Sequence, residues 1–392
     1  MRRKITAAII GVTVAAGLLA ACGESAEEDI AGEAPATSAS STVPEDPATA
    51  TSSASPSTTA SSRVPAGTED LRAQVASLMM VGVTSYDDAK AKLEQGAGGI
   101  FITSWGDPAM LTEPGRNIQA LREEIGRDFS VAIDFEGGRV QRHSEVLGSW
   151  PAPREMAASM TPEQLRAEAE KMGESLAAHG ITVNFAPVID LDIAGLDIVG
   201  DRSFSADPQE AARYAEAFAR GLADAGVTPV FKHFPGHGQA SGDTHQGLAV
   251  TPPLEVLEQQ DLPPFGEVFA HAPGEVMIGH MVVPGLGDQN VPGSLDPATY
   301  ELLRSGDYPG GVPFEGVAYT DDLSGMAAVT DLMSTTDAVV AAIAAGADQP
   351  LWSSGQPLGE VVDAVLAAVE AGDIPEERIN EAAERLKTQF VA

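Results

Sequence analysis

"DPQEAARYAEAFARGLADAGVTPVFKHFPG", residues 207–236, holds one repeat of the fold. Residues 207–226 have the spacing of an amphipathic helix, with Pro208 in the first turn, where a missing N–H costs nothing. The short apolar run "TPVFKHFPG" follows and ends on the polar pair Lys232 and His233. Outward from this unit the alternation recurs. Comparable runs are "SLMMVGV" (77–83), "GGIFITSW" (98–105), "SVAIDFEGG" (130–138), "ITVNFAPVIDLD" (181–192), "EVMIGHMVV" (275–283), "GVAYTDDLS" (316–324) and "GADQPLWSS" (346–354). Helical patterns separate them, such as "TPEQLRAEAEKMGESLAAHG" (161–180), with Thr161 as N-cap and Gly180 past the end. Strands alternating with helices imply a parallel sheet, and eight such units predict a single α/β domain, a (β/α)8 TIM-type barrel over residues 68–392. A doubly wound open sheet is the competing arrangement.

Polar residues fall at the ends of these runs. Asp134 and Glu136 end the third, Asp190 and Asp192 the fourth, Lys232 and His233 the fifth, His280 the sixth, and Asp321 and Asp322 the seventh. In a barrel the C-terminal ends of the strands build the active site. Each residue has a plainer use: Asp190 as a helix cap, Glu136 as a partner for Arg139, Asp322 as a solvated carboxylate. Their coincidence at five strand ends argues for a site.

Composition limits the partners. A formal charge of −34 in 392 residues argues against nucleic acid, whose phosphates need a basic surface. The N-terminus reads as a lipoprotein signal over residues 1–21: "MRRK" is a basic start, "ITAAIIGVTVAAGLLA" an apolar stretch, and "LAAC" ends on Cys22, the chain's single cysteine. Acyl chains on Cys22 would anchor the protein to the outer face of a bacterial membrane without a spanning helix. Residues 22–67, rich in Ser, Thr, Ala and Pro, have too little apolar surface to order and read as a tether. One cysteine allows no intrachain disulfide.

The stretch "FKHFPGHGQASGDTH" (231–245) admits two chemistries. His233, His237 and His245 could hold a metal, but the Pro-Gly in "HFPGH" breaks any helix that would put the first two on one face. A proton-transfer site is the more economical reading. Asp321 then serves as a nucleophile at a strand end, and the loop after the fifth strand brings in an acid/base. Asp243 and His245 are two residues apart, so an extended segment points both to one side and lets the carboxylate orient the ring. Gly236, Gly238 and Gly242 would let that loop open and close. No GxGxxG or GxxxxGK[ST] stretch supports nucleotide binding.

Taken in order, "DFEGGRVQR" (134–142), "NFAPVIDLD" (184–192), "GDRSFS" (200–205), "KHFPGHG" with "DTH" (232–245), "GHM" (279–281) and "TDDLSGM" (320–326) resemble glycoside hydrolase family 3, in its single-domain NagZ-type β-N-acetylhexosaminidase branch. The resemblance implies Asp321 as nucleophile, His245 held by Asp243 as general acid/base, and Asp134, Arg202, Lys232 and His233, with Arg142 nearby, as contacts to a terminal N-acetylglucosamine. It implies a retaining, two-step hydrolase acting on β-linked N-acetylglucosaminides such as peptidoglycan fragments, a monomer needing neither cofactor nor metal. Phosphate in place of water as acceptor, or a catalytically silent glycan-binding lipoprotein, are the alternatives. Gly325 departs from the commoner "DDLSM", and the leader departs from the cytoplasmic members. The C-terminal residues read as terminal barrel helices rather than a second domain.

Overall fold

Each apolar run becomes one strand of a single sheet: β1 (Met80–Val83), β2 (Gly99–Ile102), β3 (Ser130–Ile133), β4 (Val183–Asn184), β5 (Thr228–Phe234), β6 (Glu275–Ile278), β7 (Ala318–Thr320) and β8 (Leu351–Trp352). The structure, a computed structural model, describes residues 66–390. The signal segment, Cys22 and nearly all of the 22–67 tether therefore lie outside the described residues. Every pairing is parallel and joins consecutive strands, and β8 returns to pair with β1. A parallel bridge from Tyr319 to Gln349, and a 3.0 Å bond from the Leu351 N–H to Thr320 Oγ1, close the gap between β7 and β8. The sheet is thus the expected barrel and not an open doubly wound sheet.

The helices start where the sequence places their caps. Thr161 and Gln164 form a reciprocal capping box at the head of helix Pro162–Ala178, and Gly180 follows its end at φ +82. Asp207 accepts the N–H groups of Gln209 and Glu210 at 3.0 Å, ahead of Pro208. No helix among the described residues is long and apolar enough to cross a membrane.

A layer of rings inside the barrel sets the level of the site, and an ion cluster ties the barrel to its outer helices. Phe101, Phe185 and Tyr319 pack ring to ring at 5.6 and 5.2 Å, an apolar floor whose members each contribute on the order of 3 kcal/mol by burial. Lower down, the fully buried Asp348 accepts from Arg304, Arg378 and Arg385 and from the Ala318 N–H, tying the start of β8 to β7 and to the C-terminal helices. Polar chemistry is left to the rim above the aromatic floor.

Candidate active site

The strand ends converge on a cavity of about 340 Å3 whose lining includes Asp134, Arg142, Arg202, Lys232, His233, His245 and Asp321. Asp134 follows β3 directly, Lys232 and His233 sit near the end of β5, and Asp321 follows β7. Asp134 and Asp321 stand one residue past their strands, whereas Lys232 and His233 lie within β5, just ahead of the buried Phe234.

Opposite charges interlock along one wall. The Lys232 ammonium donates to Asp134 Oδ1 at 2.9 Å and lies 2.7 Å from Glu136 Oε1. Arg202 donates to both oxygens of Glu136 at 2.8 Å. Burial by itself would push the Glu136 carboxyl up, but the two cations outweigh it and hold the group far below the usual carboxylate range. Burial likewise opposes the charge on Lys232, while Asp134 and Glu136 more than restore it. Arg142 reaches Asp134 Oδ2 only at 3.4 Å, and its Nε–H has no partner among the described residues. Glu136, whose plainer use would be a pairing with Arg139, instead anchors Arg202 and Lys232 at the rim. Arg139 pairs with Asp201 at 2.9 Å.

A second network fixes the carboxylate after β7. The Asp321 side chain is only 14% exposed, takes the Asp322 N–H on Oδ1 at 2.9 Å, and faces His233 Nε2 at 3.7 Å. Burial would raise its pKa, but the neighbouring His233 ring, the Lys232 ammonium and the Asp322 N–H outweigh that and hold it below the ordinary range. On its other side the His233 ring donates from Nδ1 to Asp190 at 2.6 Å. Asp190 also accepts the backbone N–H groups of His233 and His237, at 3.2 and 2.8 Å. It is therefore not a helix cap but the brace of the β5 end. Asp322 turns away: its carboxylate takes the Ser324 N–H and hydroxyl and the Ser353 N–H and hydroxyl. A Cβ on Gly325 would lie 2.6 Å from Asp322 Oδ2, so this departure from the commoner pattern keeps clear of that network.

His245 comes from the loop after β5. Asp243 Oδ1 accepts both its ring Nδ1–H, at 2.8 Å, and its backbone N–H, at 2.9 Å. The pairing expected from sequence is present, but through a turn rather than an extended segment. Despite partial burial, the bonds from His245 keep Asp243 ionised, so Nδ1 donates and Nε2 is the nitrogen free to exchange a proton. The ring is 49% exposed. The loop is braced against the segment after β7, with Ala328 N–H on Thr244 O at 3.0 Å.

Three expectations change. Gly236 and Gly238 do not loosen this loop: a Cβ would meet Asp261 at 2.5 Å on the first and the Leu191 carbonyl oxygen at 1.8 Å on the second, so both permit close packing. Gly242 alone of the three stands in open space. The metal alternative regroups: His233 and His237 lie with Asp190, ligand atoms within 4.8 Å, and His245 is not among them. Asp190 and His233 are already joined by a hydrogen bond at 2.6 Å, so an ion there would have to displace the ring proton and part the pair toward the roughly 3.3 Å that tetrahedral ligands keep. Asp192 and His280 lie outside the cavity lining, Asp192 paired with Arg154 and His280 buried between Ser294 and the Asp322 carbonyl.

Residues 70–389 match the Glycosyl hydrolase family 3 N terminal domain. The chain belongs to glycoside hydrolase family 3. It is 41% identical over 320 residues to the beta-hexosaminidase LpqI of Mycobacterium tuberculosis, covering 81% of this chain and 82% of that protein. Among solved structures, a family 3 glycosyl hydrolase from Mycobacterium smegmatis superposes with a TM-score of 0.78 at 43% identity, over 83% of this chain and 97% of that one. A family 3 beta-N-acetylglucosaminidase from Paenibacillus sp. gives 0.75 at 32% identity, over 81% and 62%. Family 3 membership agrees with a barrel whose carboxylates and histidines gather at one rim.

Proposed function

We propose that this family 3 hydrolase, a β-N-acetylhexosaminidase, is an exo-acting, retaining β-N-acetylglucosaminidase working through a covalent glycosyl-Asp321 ester. The observation that carries the reading is the joint placement of an ionised, buried Asp321 and an Asp243-held His245 in one cavity walled by Asp134, Glu136, Lys232 and Arg202. Asp134, Arg142, Arg202, Lys232 and His233 hold the hydroxyls of the terminal sugar, which sets the anomeric carbon over Asp321. In the first step an Asp321 oxygen bonds to that carbon as the glycosidic bond breaks, and His245 Nε2–H protonates the departing oxygen. In the second, neutral His245 takes a proton from water as the water oxygen displaces Asp321. The imidazole replaces the acid of the usual carboxylate pair, which in retaining enzymes stands roughly 5–5.5 Å from the nucleophile.

The substrate we propose is N-acetylglucosamine β-linked in peptidoglycan fragments, met outside the membrane by a protein exported and lipidated on Cys22. Trapping tests the mechanism: incubation with 5-fluoro-N-acetylglucosaminyl fluoride should add one glycosyl mass to a peptide containing Asp321. A label on another residue, or inversion in the released sugar, would refute it. Product analysis with and without phosphate separates hydrolysis from phosphorolysis.

A further inference from the structure

The chain has three tryptophans, and they are not used alike. Trp352 is buried in β8 and Trp150 packs edge-on against Phe135 at 5.7 Å, whereas Trp105 is 58% exposed. An exposed indole in a wall of the catalytic cavity calls for a reason.

Its backbone is fixed. Trp105 lies in the turn after β2, where Gly106 N–H bonds Thr103 O at 3.2 Å and Asp107 N–H bonds Thr84 O at 2.9 Å. Thr103 O also meets His143 Nε2 at 2.9 Å, and Thr103 Oγ1 donates to Val83 O at 3.0 Å. A rigid turn thus presents the ring.

Burial gives the direction. Lys232 and His233 of the charged wall are buried, so the hydroxyls of the cleaved sugar face inward, and its anomeric carbon meets Asp321. The leaving group then lies on the open side of the cavity, within reach of the exposed His245 that protonates it. The other exposed lining residues are Ser104, Trp105, Gly325 and Ser354. We propose that Trp105 is the platform on which the sugar on the leaving-group side stacks the apolar face of its ring. Trp105 is then a specificity residue for glycan over small aglycones, an inference that rests on the hydrolase reading of the same cavity.

Steady-state kinetics on the full chain test this with two substrates sharing one glycon: the β-1,4-linked disaccharide of N-acetylglucosamine, and β-N-acetylglucosaminyl azide, whose leaving group has no ring. Trp105→Ala should lose about tenfold in kcat/KM on the disaccharide, chiefly through KM, and stay within about twofold on the azide. Trp105→Phe should recover most of the loss. In Asp321→Asn, adding the disaccharide should shift tryptophan emission to the blue, and adding N-acetylglucosamine alone should not. Equal losses on both substrates, or no loss on either, would overturn the platform. If the unmodified protein cleaves neither substrate, the hydrolase reading fails and the platform falls with it.

Discussion

Replacing Glu136 by Gln removes one charge from a place where two cations depend on it. Glu136 is 1% exposed and holds Arg202 at 2.8 Å through both oxygens and Lys232 at 2.7 Å. Glutamine keeps the shape but offers one acceptor oxygen and no charge. Removing one partner of a buried ion pair costs about 3–5 kcal/mol, because the other charge stays buried. Asp134 remains as a partner of Lys232, which argues for the lower end, about 3 kcal/mol. With an unfolding entropy of about 2.1 cal/mol/K per residue, a barrel of this size should lose on the order of 5 °C in Tm. The same change leaves Arg202 and Lys232 free to move, so KM should rise about tenfold on every substrate with less effect on kcat. The acid dependence follows from the depressed pKa. The stabilisation by Glu136 is complete above the unfolded carboxyl value of about 4.3 and is lost as the pH falls toward its low folded value. The Tm gap between the wild type and Glu136→Gln should therefore be widest near neutrality and narrow below about pH 4. Differential scanning calorimetry across pH, with steady-state kinetics, measures all of this. A variant that melts within a degree of the wild type at pH 7 with unchanged KM would refute the reasoning.

His245→Ala should slow unactivated glycosides about 10²- to 10⁴-fold more than aryl glycosides with good leaving groups, whereas His233→Ala should slow both alike; activity lost to a chelator and restored by zinc would overturn the proton-transfer reading. Asp261 and Glu275 are each pushed up to about 7 by burial, so their protonated forms favour folding and that contribution is lost as the pH rises from about 4 to 7. Asp261→Asn and Glu275→Gln should accordingly melt above the wild type at pH 8 by more than at pH 5, and equal differences at both pH values would count against the assignment. Cys22→Ala should release the protein from the membrane fraction of its host, and unchanged membrane abundance would remove the proposed anchor.

The eight apolar runs were legible because a buried parallel strand is a local pattern: a run long enough to cross the barrel, stopped by a polar residue at the rim. The same punctuation pointed to Asp134, Lys232, His233 and Asp321, which line one cavity. Polar residues at strand ends were a good guide but an incomplete one, since Asp192 and His280 end runs and yet face elsewhere. Sequence proximity was a poorer guide to pairing. Arg139 stands three positions from Glu136, but the carboxylate's partner Arg202 is 66 positions away, brought near by the barrel's return from β3 to β4. In the loop after β5 the residue types suggest proton transfer, and its glycines suggest freedom. At Gly236 and Gly238 the absent side chain instead lets the loop pack against Asp261 and the Leu191 carbonyl. That difference bears on the acid/base role proposed for His245. A loop packed at Gly236 and Gly238, hooked by Gln239 to Asp261 at 2.6 Å and tied at Thr244 to the segment after β7, is held on both sides of Asp243. On the proposed mechanism, movement of His245 is then confined to the residues flanking the Thr244 tie, from Gly242 to Gly247, where glycine stands in open space at both ends.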